Sequence, residues 1–328
     1  MKSYRAVLTI ILIVICKNNI CNNTVSPRAN SGRGLIIYDQ FVHDYHLCGL
    51  FVESTAYEIL KNRASEFKGV EYLPVPWFHA SQSKKYNWND IHKYADSLKQ
   101  LHLHNAFTVC LSFLSSGIDD YVLDVLDSIG IRCIFTPDVS VHKNHYKRIH
   151  FEPLPHYAIK QVNPAKIKDV LYSFIGVIKC HPVRKELFAI DHPQDTVVIA
   201  NEEYGHLAPK GAYEDVLARS RFSLCPRGIN VGSVRFWESL CAGAIPILIS
   251  DDQVLPYGFD WSSCVIRVKE NEVQHIPDII RNIPLQKEES MRQACYKAYR
   301  AFSGHNFISP IIRYYASTFS KKLMMSFE

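Results

Sequence analysis

Leu224-Cys225-Pro226-Arg227-Gly228-Ile229-Asn230-Val231-Gly232-Ser233-Val234-Arg235-Phe236-Trp237-Glu238, continued by Ser239-Leu240-Cys241-Ala242-Gly243-Ala244-Ile245-Pro246-Ile247-Leu248-Ile249-Ser250-Asp251, decides how this chain is read. An apolar strand, Arg221 to Cys225, runs into a Pro/Gly turn and then into a helix that opens at Gly232-Ser233. A second apolar strand, Ile245 to Ile249, follows. Backbone N–H groups at such a helix start attract phosphate oxygens, and a nearby Arg adds a planar fork of donors. Glu238 stands three residues after Arg235, one turn further along the same face. A carboxylate there can accept hydrogen bonds from two ribose hydroxyls. The pattern is that of a cradle for a nucleoside diphosphate.

Outward from this stretch, strand-like and helix-like segments alternate. Before it come strands at Leu35 to Asp39, Val70 to Val75, Ala106 to Phe113 and Ile131 to Phe135. Helices at Glu53 to Phe67, Trp88 to Leu103 and Asp119 to Ile129 separate them, the last stopped by Gly130. Residues 142–168 hold Pro153, Pro155 and Pro164 without clear periodicity and read as the passage between two domains. Alternation resumes with strands Leu171 to Ile175 and Thr196 to Ala200 and helices Pro182 to Phe188 and Gly211 to Arg219. After Ile249 come a strand at Cys264 to Val268 and helices near Val273 to Arg281 and Lys287 to Phe302. Repeated βαβ units predict parallel sheets with right-handed crossovers, with ligands at the carboxyl ends of the strands.

Several residues of this pattern are shared with a known family. Leu224 to Gly228, Gly232 to Pro246, Ser250-Asp251, Leu255-Pro256 and Trp261 resemble the C-terminal signature of the exostosin-type glycosyltransferases. Tyr172-Ser173-Phe174-Ile175-Gly176 with Arg184 resembles the strand that opens the second domain of that family. The resemblance is good over roughly residues 170–280. Over residues 30–160 only Ile36-Ile37-Tyr38-Asp39 and Leu73-Pro74-Val75-Pro76 carry it. It implies a GT-B-like α/β fold, two Rossmann-type domains with parallel sheets facing a cleft. The expected division is an acceptor domain at 30–155, a donor domain at 165–305 and a C-terminal helix at 306–328 that returns to the first domain.

The resemblance also assigns roles. Arg235 faces the donor diphosphate, Glu238 the ribose, and Gly232 and Ser233 give close backbone approach and a hydroxyl donor. Arg227 and Arg184 are further phosphate candidates, Arg227 equally a brace for its loop. Asn230 stands where retaining GT-B enzymes carry a Glu eight positions before the second Glu, so inversion of configuration is expected. Inversion needs a general base for the acceptor hydroxyl. Asp39, at a strand's carboxyl end, and His79 are the candidates, with His43 and Asp44 behind them. The chain has no Asp-x-Asp triplet, so no metal and no other cofactor is implied. Positive groups and the helix start would stabilise the leaving group instead.

Composition sets limits. The chain has 328 residues, 47% hydrophobic and 21% charged, enough for two cores and far from a disordered composition. A net charge of +5 is too small and dispersed to argue for nucleic acid. Lys2 and Arg5 precede an uncharged run, Ala6 to Cys16, too short for a full membrane span. The run reads as a signal peptide or a short signal anchor over residues 1–24, and Asn22-Asn23-Thr24 is a glycosylation sequon. The expectation is secretory entry, with a lumenal domain anchored at the Golgi membrane or a secreted form. Of the 10 cysteines, Cys110 and Cys133 read as small core residues. Disulfides among Cys48, Cys180, Cys264 and Cys295 stay open.

Two functions compete. One is an inverting transfer from a nucleotide-diphosphate sugar, UDP-linked by expectation, to a glycan or glycoconjugate. The other is a non-catalytic exostosin-like partner subunit, and homo- or hetero-oligomers are open in either case. A dinucleotide enzyme is disfavoured, since no Gly-x-Gly-x-x-Gly follows the first strand of either half.

Overall fold

The computed structural model describes residues 34–38, 52–67, 69–77, 88–111, 118–158, 161–201 and 212–316. Among them the chain forms two sheets. The first has strands β1 (Ile36–Ile37), β2 (Glu71–Tyr72), β3 (Ala106–Val109), β4 (Ile131–Thr136), β5 (His145–Tyr146) and β6 (Ile149–Pro153), in the order β1-β2-β3-β4-β6-β5. All pairs are parallel except the β5–β6 hairpin. Helices α1 (Val52–Asn62), α2 (Trp88–Leu98) and α3 (Asp120–Ser128) connect its early strands. The α3 start is fixed by Asp119, whose side chain accepts the Val122 N–H at 3.1 Å.

The second sheet has β7 (Val170–Val177), β8 (Val197–Asn201), β9 (Ser220–Pro226), β10 (Ile245–Ile249) and β11 (Ile266–Arg267), in the order β11-β10-β9-β7-β8. Every pair is parallel. Helices α4 (Pro182–Phe188), α5 (Ala212–Arg219), α6 (Val234–Ala242), α7 (Ile276–Arg281) and α8 (Leu285–Phe302) complete this half. The chain leaves β7 outward to β8 and then crosses back to β9. The switch in strand order therefore falls between β7 and β9, and it is at the carboxyl ends beside such a switch point that sheets of this kind bind ligands. Two Rossmann-type parallel sheets of this kind are the GT-B-like arrangement.

The passage between the halves is more ordered than its prolines suggest. Residues 145–153 form the hairpin, and β6 joins the first sheet beside β4. Its residues alternate, with Ile149, Phe151 and Pro153 buried and His150 and Glu152 turned outward, a period of two that the expected loop missed. Several predicted strands also shorten: β1, β2 and β11 pair over two residues each. Val273 to Arg281, expected as one helix, is a 3₁₀ turn (Glu270–His275) followed by α7. Of the cysteines left open, Cys264 and Cys295 are free thiols, with Cys295 Sγ 3.6 Å from the Cys264 carbonyl, and Cys180 is half-buried at the end of the turn Ile178–Cys180. Cys48 lies outside the described residues.

Among the described residues, two contacts between the halves stand out. Segment 139–141 pairs with segment 252–254: Val141 N–H donates to Asp252 O at 2.9 Å and Val254 N–H to Val139 O at 3.0 Å. After α8 the chain returns to the first half, where Phe307, Ile308, Ile311 and Tyr315 join a core with Phe67, Tyr72, Phe107 and Phe135. No described helix is long and apolar enough to cross a membrane. Residues 1–33, which carry the signal or anchor reading, lie outside the described set.

Candidate functional site

Most of the quoted stretch is core. Phe236, Leu240, Ile245 and Ile247 are fully buried. Trp237 and Trp261 meet edge to face at 5.8 Å, and Trp261 stacks on Phe302 at 5.3 Å. Gly243 ends α6 at φ +63°, and a Cβ there would overlap the Tyr296 ring. This packing holds α6 rigidly with its N-terminus at the carboxyl ends of β7 and β9.

That N-terminus is chemically open. Ser233 is the N-cap, extended at φ −139° and ψ 127°, and its hydroxyl caps nothing in the helix. In the first turn, Arg235 sits against two rings, its guanidinium carbon 4.7 Å from the Phe174 centroid and 4.8 Å from that of Tyr213. It donates to the Ile175 carbonyl at the end of β7. Glu238, 6% exposed, accepts the Tyr213 hydroxyl at 2.5 Å. Burial raises the Tyr213 phenol's pKa; the Arg235 charge opposes this and Glu238 adds to it. Tyr213 therefore stays a hydrogen-bond donor at physiological pH, holding Glu238 in one place. Arg235, Glu238, Phe174 and Tyr213 form one cluster beside the switch point.

The other two arginines do something else. Arg184, expected as a phosphate ligand, spends its fork on backbone: Nε donates to Arg227 O at 2.9 Å, and Nη1 donates to Val177 O at 2.9 Å. Nη2 reaches Pro226 O at 3.4 Å. It ties the ends of β7 and β9 together, which is the work of a brace. Arg227 lies 3.5 Å from Glu270 and 3.8 Å from Asp252, and its own N–H bonds Ile249 O. It too steadies the loop. Asn230 belongs to that loop, with its carbonyl accepting the Gly228 N–H at 3.1 Å.

Gly232 faces the first half. Its N–H donates to Asp138 Oδ1 at 3.3 Å. A Cβ there would lie 2.7 Å from His156 Nε2 and 2.9 Å from Asp138 Oδ1, so only glycine permits this approach. Asp138 and His156 were not singled out from the sequence. Asp138 follows a strand's carboxyl end, the signal that drew attention to Asp39, whereas His156 sits in the stretch read as passage. Tyr213 carries no sequence signal; only the fold brings it to Glu238. Asp39, His79, His43 and Asp44, the candidate bases, lie outside the described residues. Among the described residues no cluster of three or more His, Cys, Asp or Glu could hold a metal ion.

Residues 123–283 match the model of the Exostosin GT47 domain. Exostosin-1 of Drosophila melanogaster is 39% identical over 162 residues, 42% of this chain and 21% of that one. The Exostosin-1 homolog of Caenorhabditis elegans is 35% identical over 104 residues, 31% of this chain and 26% of that one. A protein of Arabidopsis thaliana described as a probable glycosyltransferase is 30% identical over 90 residues, 27% of this chain and 19% of that one. The aligned region thus spans about a quarter or less of these relatives. Among solved structures, the Candida albicans trehalose-6-phosphate phosphatase N-terminal domain overlays loosely, with TM-score 0.45, 12% identity and coverage of 96% of this chain and 88% of that one. TarM does so with TM-score 0.42 and 8% identity over 80% and 57%. The two parallel sheets, with the Arg235–Glu238 helix opening at the carboxyl ends of β7 and β9, are a GT-B-like arrangement. Over residues 123–283 the chain is thus similar to the exostosin GT47 domain.

Proposed function

We propose that this protein is an inverting glycosyltransferase that moves a sugar from a nucleotide-diphosphate sugar, UDP-linked, to a hydroxyl of a glycan or glycoconjugate. One observation carries the reading. The uncapped N-terminus of α6 stands at the β7–β9 switch point with Arg235 and Glu238 on its first turns. In this reading the helix start and the Ser233 hydroxyl hold the diphosphate, with Arg235 as its cationic wall. Glu238, steadied by Tyr213, takes the ribose hydroxyls. Asn230 in place of a Glu supports inversion, and the basic site supports a leaving group stabilised without a metal. The N-terminal basic and apolar run supports entry into the secretory pathway, with the Golgi membrane as the proposed site.

The test is turnover of UDP- and GDP-sugars with water or added glycan as acceptor, in excess EDTA. Proton NMR of the fresh product reads the anomeric configuration. The expected result is UDP-sugar turnover that survives chelation and gives the inverted anomer. Binding without turnover would favour a non-catalytic partner subunit, and a retained configuration would overturn the mechanism.

A further inference from the structure

The first half presents two buried polar side chains to the start of α6 that this reading leaves without a task. Strands β4 and β6 are parallel neighbours, with Thr136 opposite Pro153. Residues just beyond them emerge side by side from the carboxyl edge of the first sheet. They are Asp138, two positions past Thr136, and His156, three past Pro153. The Asp138 side chain is 6% exposed and that of His156 8%. His156 Nε2 lies 3.9 Å from Asp138 Oδ1. Neither imidazole nitrogen has a hydrogen-bond partner.

An imidazole that is more than nine-tenths buried with both nitrogens unused is costly, by the desolvation of each polar atom. Burial pushes its pKa down to about 4, so it is neutral at physiological pH. At 3.9 Å from a carboxylate it is then a polar neighbour and not an ion pair. A neutral imidazole offers one N–H donor and one acceptor. A carboxylate beside it offers acceptors only. Neutral donor–acceptor groups next to a carboxylate match an edge of sugar hydroxyls, each of which both donates and accepts.

Position agrees with chemistry. A sugar joined to a diphosphate seated on the N-terminus of α6 must lie within a bond or two of that phosphate. Among the described residues, Asp138, bonded to Gly232 N–H, and His156, packed on the same Cα, bring polar side chains of the first half to this terminus. Building on the nucleotide-sugar reading above, we infer that Asp138 and His156 form the subsite that recognises hydroxyls of the donor's sugar. Asp138 accepts from one or two hydroxyls. His156 exchanges hydrogen bonds with a neighbouring one, and Gly232 is the bare floor that lets the ring approach.

Calorimetry on the full chain tests this with UDP and a panel of UDP-glucose, UDP-galactose, UDP-xylose and UDP-N-acetylglucosamine. The wild type is expected to bind UDP and to discriminate among the sugars by roughly tenfold or more, because a site with fixed polar partners rejects a misplaced hydroxyl. In His156→Gln and Asp138→Asn, the dissociation constant for UDP is expected to stay within twofold while discrimination collapses to about threefold or less. Asp138→Asn keeps an acceptor for Gly232 N–H and the side-chain shape, so it guards against simple misfolding, and melting temperatures check both. A wild type that binds no nucleotide would remove the proposed function, and the subsite with it. Normal UDP binding with discrimination intact in both variants would remove the subsite alone. So would equal loss of UDP and UDP-sugar affinity, which would place the pair in the grip on the nucleotide.

Discussion

The two sheets are built alike and held differently. In the second, β7–β8 and β9–β10 pair over five residues each, and the helix carrying Arg235 and Glu238 is packed by side chains drawn mostly from its own half. In the first, β1 and β2 pair over two residues, and the core is completed by Phe307, Ile308, Ile311 and Tyr315 from the far end of the chain. The second half is thus closer to self-sufficient, and the first half depends on distant sequence. Local sequence therefore speaks more clearly for the second half.

The largest effect should come from breaking that dependence. Phe307 is 2% exposed and packs on Tyr157 with ring centroids 6.2 Å apart. Phe307→Ala is expected to cost ~3–5 kcal/mol of stability, the usual range for a buried Phe cut to Ala. Hydrogen exchange should show lost protection first in β3 and β4. An even loss across both sheets would mean that the halves unfold as one unit, and the contrast drawn above would fail.

Acid should probe the seam between the halves. His156 has a pKa near 4 when folded, set by burial, against 6.5 when unfolded. Between those values the unfolded chain binds more protons, so stability is full above about pH 6.5 and falls as the pH drops through 4. The loss from this group is about 3 kcal/mol, at 1.36 kcal/mol for each unit. Denaturant titrations at pH 7 and pH 4 on the wild type and His156→Gln measure it. The variant should lose less stability on acidification, and equal losses would show that the ring is not buried as described.

These two tests bear on what the sequence can tell. The second half is legible because one unbroken stretch, Leu224 to Asp251, encodes a strand, a turn, a helix and the charged pair on it. Its apolar positions and its Arg235–Glu238 spacing both follow from a single helical period. The first half is not legible in that way. Asp138 and His156 lie 18 positions apart and meet only because β4 and β6 pair. Arg184 shows another limit: its motif position suggested a ligand but gave no sign of its three bonds to carbonyls at the ends of β7 and β9. Charge in a motif does not say where the side chain points. The β6 alternation was present in the sequence but masked by the prolines around it.

Within the second half the effects should be smaller and specific to ligand. Glu238→Ala should leave the fold intact and weaken UDP binding by ~1.5–3 kcal/mol, the value of hydrogen bonds to a charged acceptor. Titration calorimetry measures it. An unchanged dissociation constant in the folded variant would remove Glu238 from the ribose site. The same variant frees the Tyr213 hydroxyl, so Tyr213→Phe serves as the control: if Tyr213 only steadies Glu238, its loss should weaken UDP less.

The smallest effect separates charge from shape at Arg235. Its guanidinium sits against the Phe174 and Tyr213 rings and donates to Ile175 O. A planar fork can stack on both rings, keep that carbonyl and still offer N–H groups to two phosphate oxygens. Lysine keeps the charge but is a single point on a flexible stem, without a flat face to set against the rings. Arg235→Lys is therefore expected to lower kcat/KM roughly tenfold or more, at least ~1.4 kcal/mol of transition-state stabilisation. If the cation serves only as a long-range attraction for the diphosphate, the Lys variant would keep near-normal turnover at low salt. Steady-state kinetics at two ionic strengths decide between these. A loss that persists at low salt assigns the effect to planar geometry, and full activity at low salt would reduce Arg235 to a charge beside the switch point.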